Sequence, residues 1–184
     1  MIHKMSVLPP FDEDGLLPAG DYVLTFDQLR TSMLVEGPSG SKGWARDWRR
    51  ELVSNLHAMV TQLVTVGVTE VFIDGSFVEE KDIPNDIDGY FVCDRDQWKS
   101  EDLTRQLHAL DPVWTWETTT REPFRGYPKP QLPMWHKYRV ELFPDYGQFC
   151  GLLDGLGRRL TFPQAFRQSR FFRPKGIVKI GGLG

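Results

Sequence analysis

Residues 74–90 read DGSFVEEKDIPNDIDGY. Asp86 and Asp88 stand one residue apart at the head of an apolar run, Tyr90–Val92. In an extended chain, residues two apart share a face. Two carboxylates side by side repel and are costly to bury. A shared divalent cation resolves the conflict, and magnesium takes one or two carboxylates together with phosphate oxygens. Glu141 lies inside a second apolar stretch, YRVELFPD, 53 residues after Asp88. On a neighbouring strand it would complete a set of three acids able to hold two metal ions, which clamp the attacking and leaving oxygens of a phosphoryl-type displacement.

Gly75 and Ser76 follow the apolar run Val71–Ile73. Glycine lets a backbone approach phosphate closely, the N–H groups of a turn favour anions, and the Ser76 hydroxyl adds a donor. Lys81, five residues on, is a further candidate phosphate contact. From Arg158 to the end there are seven basic residues and no acid, in a chain of net charge -3. Such a segment suits a phosphate-bearing ligand or partner, with Arg170 and Lys175 as candidate phosphate or acceptor contacts. The competing reading is that these cations neutralise acids of the same fold. For Asp86 and Asp88 the competing reading is a solvated strand edge after a Pro-Asn turn.

These residues need strands to hold them. Val71–Asp74, Asp86–Val92 and Tyr138–Phe143 read as strands from their β-branched and aromatic content. Val113–Thr120 reads as another, and Ile177–Ile180 as a last edge strand. Thr25 and Gln28 fit a capping box opening a helix to about Leu34. From Trp44, residues Trp48, Leu52, Leu56, Met59, Leu63 and Val66 recur at helical spacing. Residues 96–110 read as a second amphipathic helix with Trp98, Leu103, Leu107 and Leu110 facing in, and Phe162–Ser169 as a short one. Residues 1–24 read as an extended lead, and 121–137, with four prolines, as a long loop. The order predicts an α+β (mixed α/β) fold with a central mixed sheet flanked by helices. It forms one domain over 1–184: a lead segment to 43, a core over 44–145 and a basic segment over 158–184.

Hydrophobic residues make up 40% and charged residues 26% of the chain, a globular balance rather than a disordered one. No apolar run approaches the roughly 20 residues of a membrane span, and the first residues lack the apolar core of a secretory signal. Two cysteines without a Cys-x-x-Cys spacing argue against a zinc or disulfide framework. The expected compartment is the cytoplasm, with no membrane partner.

Gly75-Ser76, the Asp86-x-Asp88 pair and the later Glu141 resemble the pattern of the DNA polymerase β-type nucleotidyltransferase superfamily. The wider wording, together with LPAGDYVLTFDQLR and KGIVKI near the ends, is similar to small bacterial and phage nucleotidyltransferase-like proteins of that superfamily. The resemblance implies magnesium-dependent transfer of a nucleoside monophosphate from a nucleoside triphosphate to an acceptor hydroxyl on RNA, a protein or a small molecule. It implies Asp86, Asp88 and Glu141 as catalytic ligands of two magnesium ions, and Gly75 and Ser76 as the triphosphate grip. Small stand-alone members of the superfamily serve as toxins of toxin–antitoxin or phage-defence systems, which would add an antitoxin partner. The alternative is a non-catalytic module that keeps the fold and binds nucleotide, nucleic acid or protein. Two departures stand out. Pro84 shortens the helix that usually follows the turn, and the third acid is Glu rather than Asp.

Overall fold

A computed structural model describes residues 8–183, so the first seven residues of the expected lead lie outside it. The rest of the lead is not all loop. It holds an edge strand, β1 (Asp21–Leu24), and the capping box of Thr25 and Gln28 opens a helix, α1 (Phe26–Arg30). The expected single helix to Leu34 is two. Ser32 accepts a hydrogen bond from Leu34 N–H and so caps a new start, α2 (Met33–Glu36). The long apolar stripe becomes α3 (Arg46–Thr65), with Leu52, Leu56, Met59 and Leu63 fully buried.

Next come β2 (Val71–Asp74), a 3-10 turn over Gly75–Val78 and β3 (Ile87–Val92). The expected helix over 96–110 is broken into α4 (Arg95–Lys99) and α5 (Asp102–Leu110) at Glu101, whose φ is 61°. Leu103 and Leu107 are buried, but Leu110 is 48% exposed, against the expectation that it faces in. Val113–Thr120 is not a strand. Its rings are used for burial instead, with Trp114 Nε1 donating to Gln62 Oε1 and Trp116 Nε1 to the Leu142 carbonyl. The Pro-rich loop contains a helix, α6 (Pro133–Tyr138), whose proline occupies the first turn, where its missing N–H costs nothing.

The third expected strand is β4 (Val140–Asp145), which runs through Pro144 and keeps Asp145 inside it. A hairpin, β5 (Phe149–Leu153) and β6 (Arg159–Thr161), follows, then α7 (Phe162–Ala165) and β7 (Ile177–Ile180). The helix α7 stops short of the expected Ser169.

Five strands form one mixed sheet in the order β1-β7-β2-β3-β4. The last strand is therefore not an edge. It is inserted between β1 and β2, and Ile177, Val178 and Ile180 are buried. The pair β2/β3 is antiparallel and β3/β4 parallel. The parallel return of β4 needs a long crossover, supplied by α4, α5 and α6. The fold is α+β, with helices flanking a mixed sheet. Among the described residues no helix is long and apolar enough to cross a membrane.

Alternation divides the sheet. One face carries Ile73, Phe91, Leu142 and Val178 into the main core with Leu56 and Met59 of α3. The other carries Phe72, Tyr90 and Ile177, packed against Phe143, Phe162 and Phe166. This second face also carries the acids.

Candidate functional site

The register places Asp74 opposite Asp88, and Asp88 opposite Glu141. Residues directly opposite across a ladder share a face, so three adjacent strands present three carboxylates in one row. Neighbouring strands are about 4.8 Å apart, so the row spans about 10 Å. The next row, Phe72, Tyr90 and Phe143, is aromatic. The Tyr90 hydroxyl accepts a hydrogen bond from Arg167 Nη1, and the Arg167 and Lys179 cations lie over the Phe72 ring. Asp86 stands one residue before β3, at the same end.

Asp88 carries the largest electrostatic burden. Burial first, then Asp86, Glu141 and Asp74, push its carboxyl well above the usual range, with Lys175 opposing. Its carboxylate packs directly on the turn after β2. A Cβ added to Gly75, whose φ is +73°, would lie 2.5 Å from Asp88 Oδ2. Glycine is thus required at position 75 both by backbone conformation and by the approach of the acid. The half-buried Ser76 follows in the same turn.

Asp86 accepts a hydrogen bond from Trp135 Nε1 at 2.7 Å. Burial raises its carboxyl; the Trp135 bond and the charges of Lys81, Arg139 and Arg170 pull the other way. Lys81 and Arg170 therefore lie within electrostatic reach of the acids, and both are exposed. Glu141 is buried, and burial raises its carboxyl against the pull of Arg121. Arg121 lies 3.7 Å away, and the Leu132 N–H donates to Glu141 Oε1 at 3.4 Å.

Lys175 is buried at the other end of the row. Its Nζ is 2.5 Å from Glu79 Oε1 and 3.1 Å from Asp74 Oδ1. The second contact lacks hydrogen-bond alignment, so Asp74 Oδ1 is buried without a hydrogen-bond partner. Burial raises the Asp74 carboxyl to about 7 despite Lys175. Other cations of the basic segment also meet acids of the same fold. Arg158 pairs with Asp154, Arg167 with Asp21, Arg173 with Asp14 and Lys179 with Glu70.

Two residues central to this geometry carry no motif. Arg49 is fully buried in the first turn of α3. It donates to the carbonyls of Leu34, Phe77 and Lys81 at 2.7, 2.8 and 2.5 Å. It thereby pins the chain that leaves the Gly75–Ser76 turn. Its signal in the sequence is phase: Arg49, Val53, Leu56, Val60 and Leu63 recur at helical spacing, so the arginine lies on a core stripe. Arg139, at φ 54°, stacks 3.8 Å over Trp135 and 4.3 Å over Phe124. It is legible only once α6 is known to end there.

The oxygen-only donor set of Asp86, Asp88 and Glu141 suits a hard divalent cation. The mutual repulsion at Asp88 is what such a cation would relieve. The side chains are turned to other partners, Asp86 to Trp135 and Glu141 to Arg121 and Leu132. Among the described residues no three His, Cys, Asp or Glu side chains group as a metal site.

Residues 9–181 match the family of unknown function DUF6932, and the chain belongs to that family. No curated protein and no solved structure matches it.

Proposed function

We propose that this protein is a magnesium-dependent nucleotidyltransferase, related to the DNA polymerase β-type superfamily, that moves a nucleoside monophosphate from a nucleoside triphosphate to an acceptor hydroxyl. One observation carries the reading: Asp88 and Glu141 are register partners on adjacent strands, with Asp86 at the same end and the Gly75–Ser76 turn against Asp88. A structural role alone gives no reason to gather repelling acids at the end of a buried sheet.

In this reading the acceptor oxygen attacks the α-phosphorus. The bond to the bridging oxygen breaks, and pyrophosphate leaves. Glu141, whose carboxyl is already raised by burial, takes the hydroxyl proton. Gly75 and Ser76 hold the phosphates through backbone N–H and hydroxyl, with Lys81 and Arg170 at the rim. Asp86, Asp88 and Glu141 would hold magnesium, which when bound neutralises the row and polarises phosphate oxygens. The setting we propose is the cytoplasm.

A second reading, a module that binds nucleotide, nucleic acid or protein without transfer, draws support from the hold of Trp135 on Asp86 and of Arg121 and the Leu132 N–H on Glu141. Titration of each of the four nucleoside triphosphates with magnesium, followed by melting temperature, tests binding first, since a ligand of the native state stabilises it. A rise with one of the four is expected. Its absence with all four contradicts the transferase reading and favours a module that binds nucleic acid or protein.

A further inference from the structure

The segment 121–139 is unlike the rest of the chain. It carries five basic residues, Arg121, Arg125, Lys129, Lys137 and Arg139, and one acid, Glu122, in a protein of net charge -3. Aromatic rings are interleaved with them. Phe124 and Tyr127 pack edge-on against Trp135, with centroids 5.2 and 4.8 Å apart. The Arg139 guanidinium lies over two of these rings. Phe124 keeps 37% of its surface exposed, and Arg125 and Lys129 are exposed.

The segment is docked on the acid row at both ends. Arg121 and the Leu132 N–H reach Glu141, and Trp135 holds Asp86. Arg170, whose charge also acts on Asp86, is followed by Phe171, which is 85% exposed. Asp86 and Glu141 thus have the Trp135 ring edge and the Arg121 guanidinium beside them.

We infer that the 121–139 segment is an acceptor-binding arm and that the acceptor is a single-stranded nucleic acid, a base resting on the exposed part of Phe124 and its phosphates on Arg125, Lys129 and Arg139. Exposed rings between cations are how single strands are held without sequence readout: any base has a π-face, and the cations follow the backbone. The inference rests on the transferase reading for the word acceptor; the binding itself does not. A strand lying on the arm would bring its terminal hydroxyl to Glu141, where an attacking oxygen is needed.

The test is direct binding of a fluorescein-labelled single-stranded oligoribonucleotide by anisotropy, over a range of salt. The proteins are wild type and Arg125→Glu/Lys129→Glu. Wild type is expected to bind, and more weakly as salt rises. The double variant is expected to lose at least tenfold in affinity with its melting temperature unchanged, and its salt slope to shrink by about 1.4, two phosphate contacts at about 0.7 each. No binding by wild type, or equal binding by the double variant, overturns the inference. So does labelling of a protein, rather than a nucleic acid, in extract given triphosphate. That last result would leave the transferase reading standing, while oligonucleotide binding without any transfer would do the reverse.

Discussion

Asp88 and Glu141 face one another across the parallel pair β3/β4, and the charge of Glu141 raises the Asp88 carboxyl further above its ordinary range than burial alone would. Folding brings these groups together against their repulsion, so the site is stored electrostatic strain. Replacing Asp88 with Asn keeps the shape and removes the charge. The variant is expected to be more stable than wild type at pH 7.5, by about 0.5–2 kcal/mol, the usual gain when a functional strain is relieved. Thermal or denaturant unfolding measures it, and a less stable variant would show that Asp88 is a structural acid.

The same strain sets a pH dependence. Carboxyls whose native pKa is raised hold more protons folded than unfolded, so stability is greatest at low pH and falls as pH rises through the gap. For Asp74 the gap runs from its ordinary value near 3.8 to about 7. Asp88 and Glu141 act in the same direction. Asp21, Asp111 and Asp154, whose carboxyls are held low, act in the opposite direction in both proteins, so the expected outcome is that wild type loses melting temperature relative to Asp74→Asn between about pH 4 and pH 7. Magnesium at pH 8 is expected to restore part of the loss in wild type and little in Asp88→Asn. A magnesium effect of equal size in both proteins would place the ion elsewhere.

Arg49 has carbonyl partners from α2 and from the chain beyond the Gly75–Ser76 turn. Methionine fills similar volume but donates nothing, leaving buried carbonyls unsatisfied at about 1–3 kcal/mol each. Arg49→Met is expected to lose at least about 3 kcal/mol of stability. It is also expected to raise hydrogen exchange first in residues 77–81, ahead of global unfolding. Uniform exchange changes would argue against a local pin.

Gly75 leaves no room for a side chain. Alanine there takes a left-handed backbone, at about 1–2 kcal/mol, and meets the Asp88 carboxylate. Gly75→Ala is expected to lower stability and to weaken triphosphate binding, read by the magnesium-dependent thermal shift. Adding Asp88→Asn should not rescue stability fully, because the backbone cost remains.

Much of this site is written in short-range pattern. The turn at Gly75, the alternation that puts Asp86 and Asp88 on one side of a strand, and the apolar flanks of Glu141 are local, and a 3-10 turn and two strands follow from them. Asp74 is different. Its place in the row depends on a one-residue choice of register between β2 and β3, which no local pattern specifies. The insertion of β7 into the middle of the sheet is also a long-range choice. Ile177–Ile180 has the same composition whether it lies at an edge or in the centre, and only the uncovered neighbours β1 and β2 decide. Lys175 follows from that insertion. Read as part of a basic tail, it becomes a buried partner of Asp74 and Glu79 once β7 is central. Trp114 and Trp116 mislead for the converse reason, since strand-like residues serve equally well as ring plugs under a sheet.

The central claim is tested most directly by transfer itself. Each nucleoside triphosphate, labelled at the α-phosphate, is incubated with magnesium, cell extract and either wild type, Asp86→Asn or Asp88→Asn. The account predicts label in a macromolecule with wild type and one of the four triphosphates, and its loss in both variants while their melting temperatures stay at or above that of wild type. Equal labelling by wild type and both variants would contradict it.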